Sequence, residues 1–212
     1  LDRQPEIAFV CGQAIAFNDA GEELYLLRKD RNDVEGFESL SRANYISVFT
    51  VMVRKSALEA VDSYDENQFA GEDYDLWLRL TKKFQFRFLN VPVGKYREQH
   101  QSLSKNFDKM LQGCLYSFRK KEVTGDLSFI QKRIMFSNLF YRYAGYNYKN
   151  GRYFPAAQCY FNALLSYPFI GYYYWPNEVK NIRYSILYRI AKVYYLMLKS
   201  FFLGNVSILK RH

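Results

Sequence analysis

Phe69-Ala70-Gly71-Glu72-Asp73-Tyr74-Asp75-Leu76-Trp77-Leu78-Arg79-Leu80 decides how the chain is read. Leu76, Trp77 and Leu80 recur at spacings of three and four, the apolar face of a short helix. Glu72 and Asp73 stand at its mouth, where the positive end of the helix dipole favours carboxylates. Acids in that position either cap the helix or form a proton acceptor held at the end of a rigid element. Only the flanking sequence separates the two roles.

On the N-terminal side, Ile7 to Phe17 is a β-rich run that closes in Asn18-Asp19-Ala20-Gly21. It predicts a strand and a turn, with Glu22 to Leu27 returning as a second strand. Lys29 to Glu35 is a charged loop and Phe37 to Arg42 a short helix. Tyr45 to Val53 is apolar and β-branched, which predicts a buried strand. Arg54-Lys55-Ser56 opens a short helix through Val61, with Ser56 as its cap. Turn formers from Asp62 to Phe69 then deliver the chain to the acidic helix. Beyond it, Phe84 to Leu89 and Val93 to Tyr96 predict strands on either side of Pro92. Strand and helix alternate, an α/β pattern.

After Ser104 the strand signals end. Asn106 to Lys121 carries apolar residues at helical spacing, and Thr124-Gly125-Asp126 breaks it. A helix from about Leu127 to Lys149, a turn at Asn150-Gly151 and a helix from Tyr153 to Ser166 follow. An aromatic cluster, Phe169 to Trp175, precedes a last helix from Glu178 to Phe202. The predicted fold class is α/β followed by α, with a boundary near residue 105. Residues 1–105 form the first domain. Residues 106–212 form a helical extension, with a hairpin over 127–166 and a basic amphipathic helix over 178–202.

Composition sets outer limits. With 212 residues, 49% of them hydrophobic, the chain can bury a proper core. A formal net charge of +9 points to an anionic partner. Cys11, Cys114 and Cys159 are far apart and form no CxxC, which speaks for reduced thiols rather than a zinc site or disulfide framework. No signal-peptide pattern precedes the first strand and no apolar run is long enough to span a bilayer. A cytoplasmic location is expected, peripheral at the inner face of the membrane if the basic tail binds there.

Five elements stand in order between Asn44 and Ser104. They are a strand ending in Arg54, the Tyr64-Asp65-Glu66 loop, the Glu72-Asp73 helix, a further strand, and Tyr96-Arg97-Glu98-Gln99-His100-Gln101-Ser102-Leu103-Ser104. This set resembles the C-terminal half of a family 2 glycosyltransferase of the GT-A fold, over about residues 1 to 105. The resemblance implies a partial GT-A sheet of the nucleotide-diphospho-sugar transferase type. It also implies an inverting transfer in which Asp73 takes the proton from an acceptor hydroxyl while Glu72 shapes the acceptor side. His100 falls where some relatives hold the metal or the leaving diphosphate, and Arg97 would offer that diphosphate a guanidinium. The implied partners are a nucleotide-sugar donor and a saccharide or lipid-linked acceptor, in surface polysaccharide or glycoconjugate synthesis. The implied cofactor is a divalent metal, Mn or Mg. The family's metal-binding Asp-x-Asp is missing, since Asp73-Tyr74-Asp75 lies inside the base helix. The main ligands and the nucleotide-binding half are therefore expected upstream of Leu1, and these 212 residues alone are expected to be inactive.

Two features fall outside that resemblance. Tyr141, Ala144, Gly145, Tyr148, Ala157, Phe161 and Pro168 follow the order of a tetratricopeptide repeat, with Gly145 permitting close helix approach. A solitary repeat forms no solenoid, so an ordinary helical hairpin is the simpler expectation. From Glu178 onward, Lys180, Arg183, Arg189, Lys192, Lys199, Lys210 and Arg211 face a single acid and interleave with Tyr, Ile and Leu. Such a helix either lies on an anionic membrane surface or packs on its own domain. The alternative function is thus a helical membrane- or protein-binding adaptor with a degenerate α/β domain. Nucleic acid is not expected as a partner, because no recognition motif is present.

Overall fold

In the computed structural model, residues 1–27, 36–98, 103, 106–168 and 194–204 are described. His100, the whole loop from Lys29 to Glu35 and all of 169–193 lie outside them. The chain forms two compact units, Leu1–Gly125 and Asp126–His212. The first is mixed α/β and the second is helical.

The first unit is built on β1 (Ile7–Phe17), which is buried along nearly its whole length. Continuous burial marks a central strand covered on both faces. β4 (Gln85–Arg97) pairs with one edge in parallel. β3 (Met52–Val53) and β2 (Glu23–Leu27) share the other edge, both antiparallel. The sheet is therefore mixed. Phe9 of β1 stacks on Trp77 of α3 (Glu72–Lys83) at 5.5 Å and on Phe86 at 4.7 Å. The alternate positions, Ala8, Val10, Gly12, Ala14 and Ala16, are mostly small. Gly12 has a specific reason, because a Cβ there would fall 2.7 Å from a Val93 methyl and 3.1 Å from the Val91 carbonyl. The close approach comes from β4, whose register slips against β1 between Leu89 and Gly94. Pro92 is tolerated inside the strand at that irregularity, so the two expected strands are one.

α1 (Phe37–Arg42) packs on α3, and the Tyr74 hydroxyl donates to the Leu40 carbonyl at 2.6 Å. The run from Tyr45 to Val53 is not the expected strand. It becomes an irregular segment, a 3-10 turn (Val48–Thr50) and the two-residue β3. Tyr45 and Ile46 are buried while Val48, Phe49 and Met52 are exposed. Its apolar residues thus serve two surfaces, and Thr50 Oγ1 bonds back to the Ser47 carbonyl at 2.7 Å to close the turn. α2 (Lys55–Glu59) starts two residues earlier than expected, with Arg54 rather than Ser56 at its cap position.

α4 (Phe107–Arg119), capped by the Asn106 side chain, and α5 (Lys121–Thr124) belong to this first unit. The division falls after Gly125 and not near residue 105. Phe118 and Val123 are fully buried, and Tyr74 meets Phe118 at 6.1 Å.

In the second unit, α6 (Phe129–Lys149) begins with a capping box between Ser128 and Gln131. Gly151, at φ 71°, turns the chain into α7 (Tyr153–Ser166). Small residues let the two helices meet: Ala144, Ala156 and Ala163 are fully buried, and Ser137 Oγ donates to the Ala163 carbonyl at 2.8 Å. Tyr141 meets Tyr160 edge-on at 5.7 Å, and Tyr148 meets Tyr153 at 5.6 Å. Gly145 is not the contact residue expected, because a Cβ there would meet nothing within 4 Å. A further helix, α8, covers 194–204. It packs on α7 through Phe201 and Phe154, 5.9 Å apart. Among the described residues no helix is long and apolar enough to cross a membrane.

Candidate functional site

The site is built at the start of α3. This helix is buried from Tyr74 to Thr81 on every side, so its backbone is fixed by the core. Trp77 and Leu80 are core residues, 1% and 0% exposed. Gly71 enters the helix in the left-handed region, φ 67° and ψ 30°, a conformation that glycine adopts without strain. It offers no capping side chain, and three acids, Glu72, Asp73 and Asp75, occupy the first turn instead.

The three acids have different surroundings. Glu72 is exposed and Asp73 half-buried. Asp73 Oδ1 accepts the Tyr74 backbone N–H at 2.6 Å. Asp75 is completely buried and serves structure: its Oδ2 accepts from Arg79 Nε at 2.9 Å, and its Oδ1 lies 2.8 Å from Lys120 Nζ. Lys120 also reaches Asp65 Oδ2 at 2.6 Å. That bond, first, and the Asn67 backbone N–H, second, hold the Asp65 carboxyl down to about 2.

The same network shapes the loop ahead of the helix. Asp62 and Ser63 both have positive φ, 57° and 52°, which L residues adopt at a cost. Arg79 offsets it by donating to the Val61 and Ser63 carbonyls on either side. Lys83 Nζ holds the Ala60 carbonyl at 2.7 Å. Gln68 Nε2 donates to Ala70 O at 2.7 Å and to Gly113 O at 2.9 Å, tying the loop to α4. Gly113 must be glycine for α4 to sit there, since a Cβ would fall 2.1 Å from the Ala70 carbonyl oxygen.

This loop carries Tyr64 to the acidic pair. Burial raises the Tyr64 phenol, and the charges of Asp73 and then Glu72 raise it further. The Tyr64 phenol is thus within electrostatic reach of both carboxylates.

Arg97 closes β4 opposite Phe17, with its guanidinium 5.7 Å from the centre of that ring. His100 is outside the described residues. Arg54, the arginine at the end of the expected strand, clasps backbone: Nε donates to Ile7 O at 2.9 Å and Nη2 to Leu1 O at 2.7 Å. Sequence reasoning gave no role to Tyr64 or Lys120.

Among the described residues no three His, Cys, Asp or Glu gather to hold a metal. Asp75 is committed to Arg79 and Lys120, so Asp73-Tyr74-Asp75 does not offer two free carboxylates to an ion. The three cysteines are buried and form no disulfide. Comparison with protein-family models, curated proteins and solved structures finds no match.

Proposed function

We propose that residues 1–125 are the acceptor-side portion of an inverting glycosyltransferase, with Asp73 as the base. The observation that carries it is the division of labour in the first turn of α3. Asp75 is committed to the core, while Glu72 is exposed and Asp73 half-buried, both within electrostatic reach of Tyr64. A carboxylate accepts a hydroxyl proton efficiently when it is held close to the attacking oxygen. Asp73 sits on a helix that cannot shift without breaking a buried network. The Asp73 carboxylate takes the proton from the acceptor hydroxyl as that oxygen forms its bond to the anomeric carbon. The bond to the diphosphate breaks on the opposite face, which inverts the configuration. Glu72, exposed, binds hydroxyls of the acceptor, and the Tyr64 ring forms one wall for the sugar. The nucleotide and any Mn or Mg fall to residues outside the described set.

The test is sugar transfer by the full-length protein from radiolabelled nucleotide-sugars to a lipid or saccharide extract. Asp73→Asn is expected to lower turnover by about two to four orders of magnitude, the usual loss on removing a general base. Its fold should persist, because an amide oxygen still accepts the Tyr74 N–H. A near-normal rate for that variant would leave Asp73 as a helix-terminal acid and nothing more.

A further inference from the structure

The positive charge of the chain is not shared between its units. Residues 1–125 hold 18 Lys or Arg against 19 Asp or Glu, a formal −1. Residues 126–212 hold 12 against 2, a formal +10, and together these make the +9. Asp126 and Glu178 are the two acids. Charge of one sign held in a compact unit repels itself, and an anionic surface relieves that repulsion.

The same unit turns large apolar side chains outward. α7 contains no charged residue, and its Phe161 and Leu165 are 51% and 58% exposed. α8 exposes Tyr195, Leu198, Phe201 and Phe202, the last at 64%. Between α7 and α8 lies a groove of about 540 Å³, lined by Phe154, Phe161, Met197, Leu198 and Phe201 among others, none of them charged. At the start of α6, Phe129 is 72% and Ile130 59% exposed. Arg133 lies 5.4 Å from the Phe129 ring centre and donates to the Leu165 carbonyl, which joins this end of α6 to the end of α7. Lys199 sits 5.9 Å from the Tyr148 ring and 5.7 Å from the Tyr195 ring. Cations on long stems among exposed aromatic and aliphatic side chains form a surface suited to the headgroup boundary of a bilayer.

We infer that the Asp126–His212 unit docks on an anionic lipid bilayer, with the exposed residues of α7 and α8 entering the boundary and their groove resting on acyl chains. The sequence expectation placed membrane binding on the basic stretch from Glu178 onward, of which 178–193 and 205–212 lie outside the described residues. The surface argued from structure adds α6 and α7 to 194–204. Nucleic acid is the other abundant polyanion, but Ile130, Leu165 and Leu198 cannot stack on bases and the groove offers no cation to a phosphate. Docking of this kind is independent of the chemistry at Asp73.

Flotation of the 212-residue chain with phosphatidylcholine vesicles, with and without phosphatidylglycerol, tests it. Recovery with anionic vesicles should exceed that with neutral ones by about tenfold at low salt and fall as salt screens the charge. Phe161→Ser with Phe201→Ser should reduce recovery several-fold while circular dichroism keeps its helical signal. Should that pair unfold, an environment-sensitive dye on Leu198→Cys, read against the three buried native thiols, should shift to the blue on anionic vesicles. Equal recovery with both vesicles, none with either, normal binding by the folded double variant, or an unshifted dye would each overturn the docking. A single-stranded RNA that binds the chain when anionic vesicles do not would assign the charge to nucleic acid instead.

Discussion

Lys120 holds two carboxylates with one ammonium, at 2.6 Å from Asp65 and 2.8 Å from Asp75. Their consequences differ. Asp75 is wholly buried and keeps Arg79 as a second partner, whereas Asp65 lies nearer the surface. The folded Asp65 carboxyl is held at about 2 against a usual value of 3.8. Its contribution to stability is thus fully present above pH 3.8 and is lost as pH falls toward 2. Lys120→Met keeps the stem and removes the charge. It should lower the stability of the first unit by about 3 kcal/mol, the scale of breaking a buried pair, and should flatten the acid limb between those two pH values. Urea melts followed by circular dichroism across that range check both outcomes. The role of Asp75 was partly legible in the sequence, because Arg79 stands four residues on, at ion-pair spacing. Lys120 was not, because nothing in a local pattern reports a partner 45 residues away.

Among the elements, those whose burial follows one simple rule were legible. β1, α1 and α7 occupy the expected bounds, Ile7–Phe17, Phe37–Arg42 and Tyr153–Ser166. Each has a single periodicity and a clear breaker at its end. Tyr45 to Val53 misled because apolar residues in a run predict burial, and here half of them face solvent across a 3-10 turn. Glycine was misjudged in the same way. Gly145 sits in a helix–helix hairpin but meets nothing, while Gly113, which no motif marks, has the Ala70 carbonyl where its Cβ would be. The pair gives opposite expectations. Gly113→Ala forces α4 away from the loop that leads to Glu72 and should cost about 1–3 kcal/mol. Gly145→Ala fills open space within a helix and should stabilise by about 0.5–1 kcal/mol. Thermal melts of the two variants, read side by side, should move in opposite directions; a common direction would contradict the packing described at both sites.

For the molecule as a unit, the place of division matters most. A shift in composition after Ser104 suggested an end to the first domain there, and composition does change at that point. Packing does not, since α4 and α5 close over α3 and supply Phe118, Val123 and Lys120 to it. A chain of residues 1–125 should therefore unfold cooperatively in urea, and one of residues 1–105 should show no cooperative transition. Tryptophan fluorescence of Trp77 is a suitable probe, because that ring is 1% exposed in the complete unit. A cooperative transition in the shorter chain would mean that α4 and α5 are dispensable.

The Lys120 bridge also sets a clock. Asp75 and Arg79 leave the ribosome together, but Lys120 follows 45 residues later. At about 5–20 residues per second, that interval is roughly 2–9 s. During it the nascent α3 carries a carboxylate that can be taken out of water only incompletely compensated, so the first unit closes late in its own synthesis. Slow translation between Arg79 and Lys120 lengthens the exposure of Phe9, Trp77 and Phe86, the rings that β1, α3 and β4 eventually stack against one another.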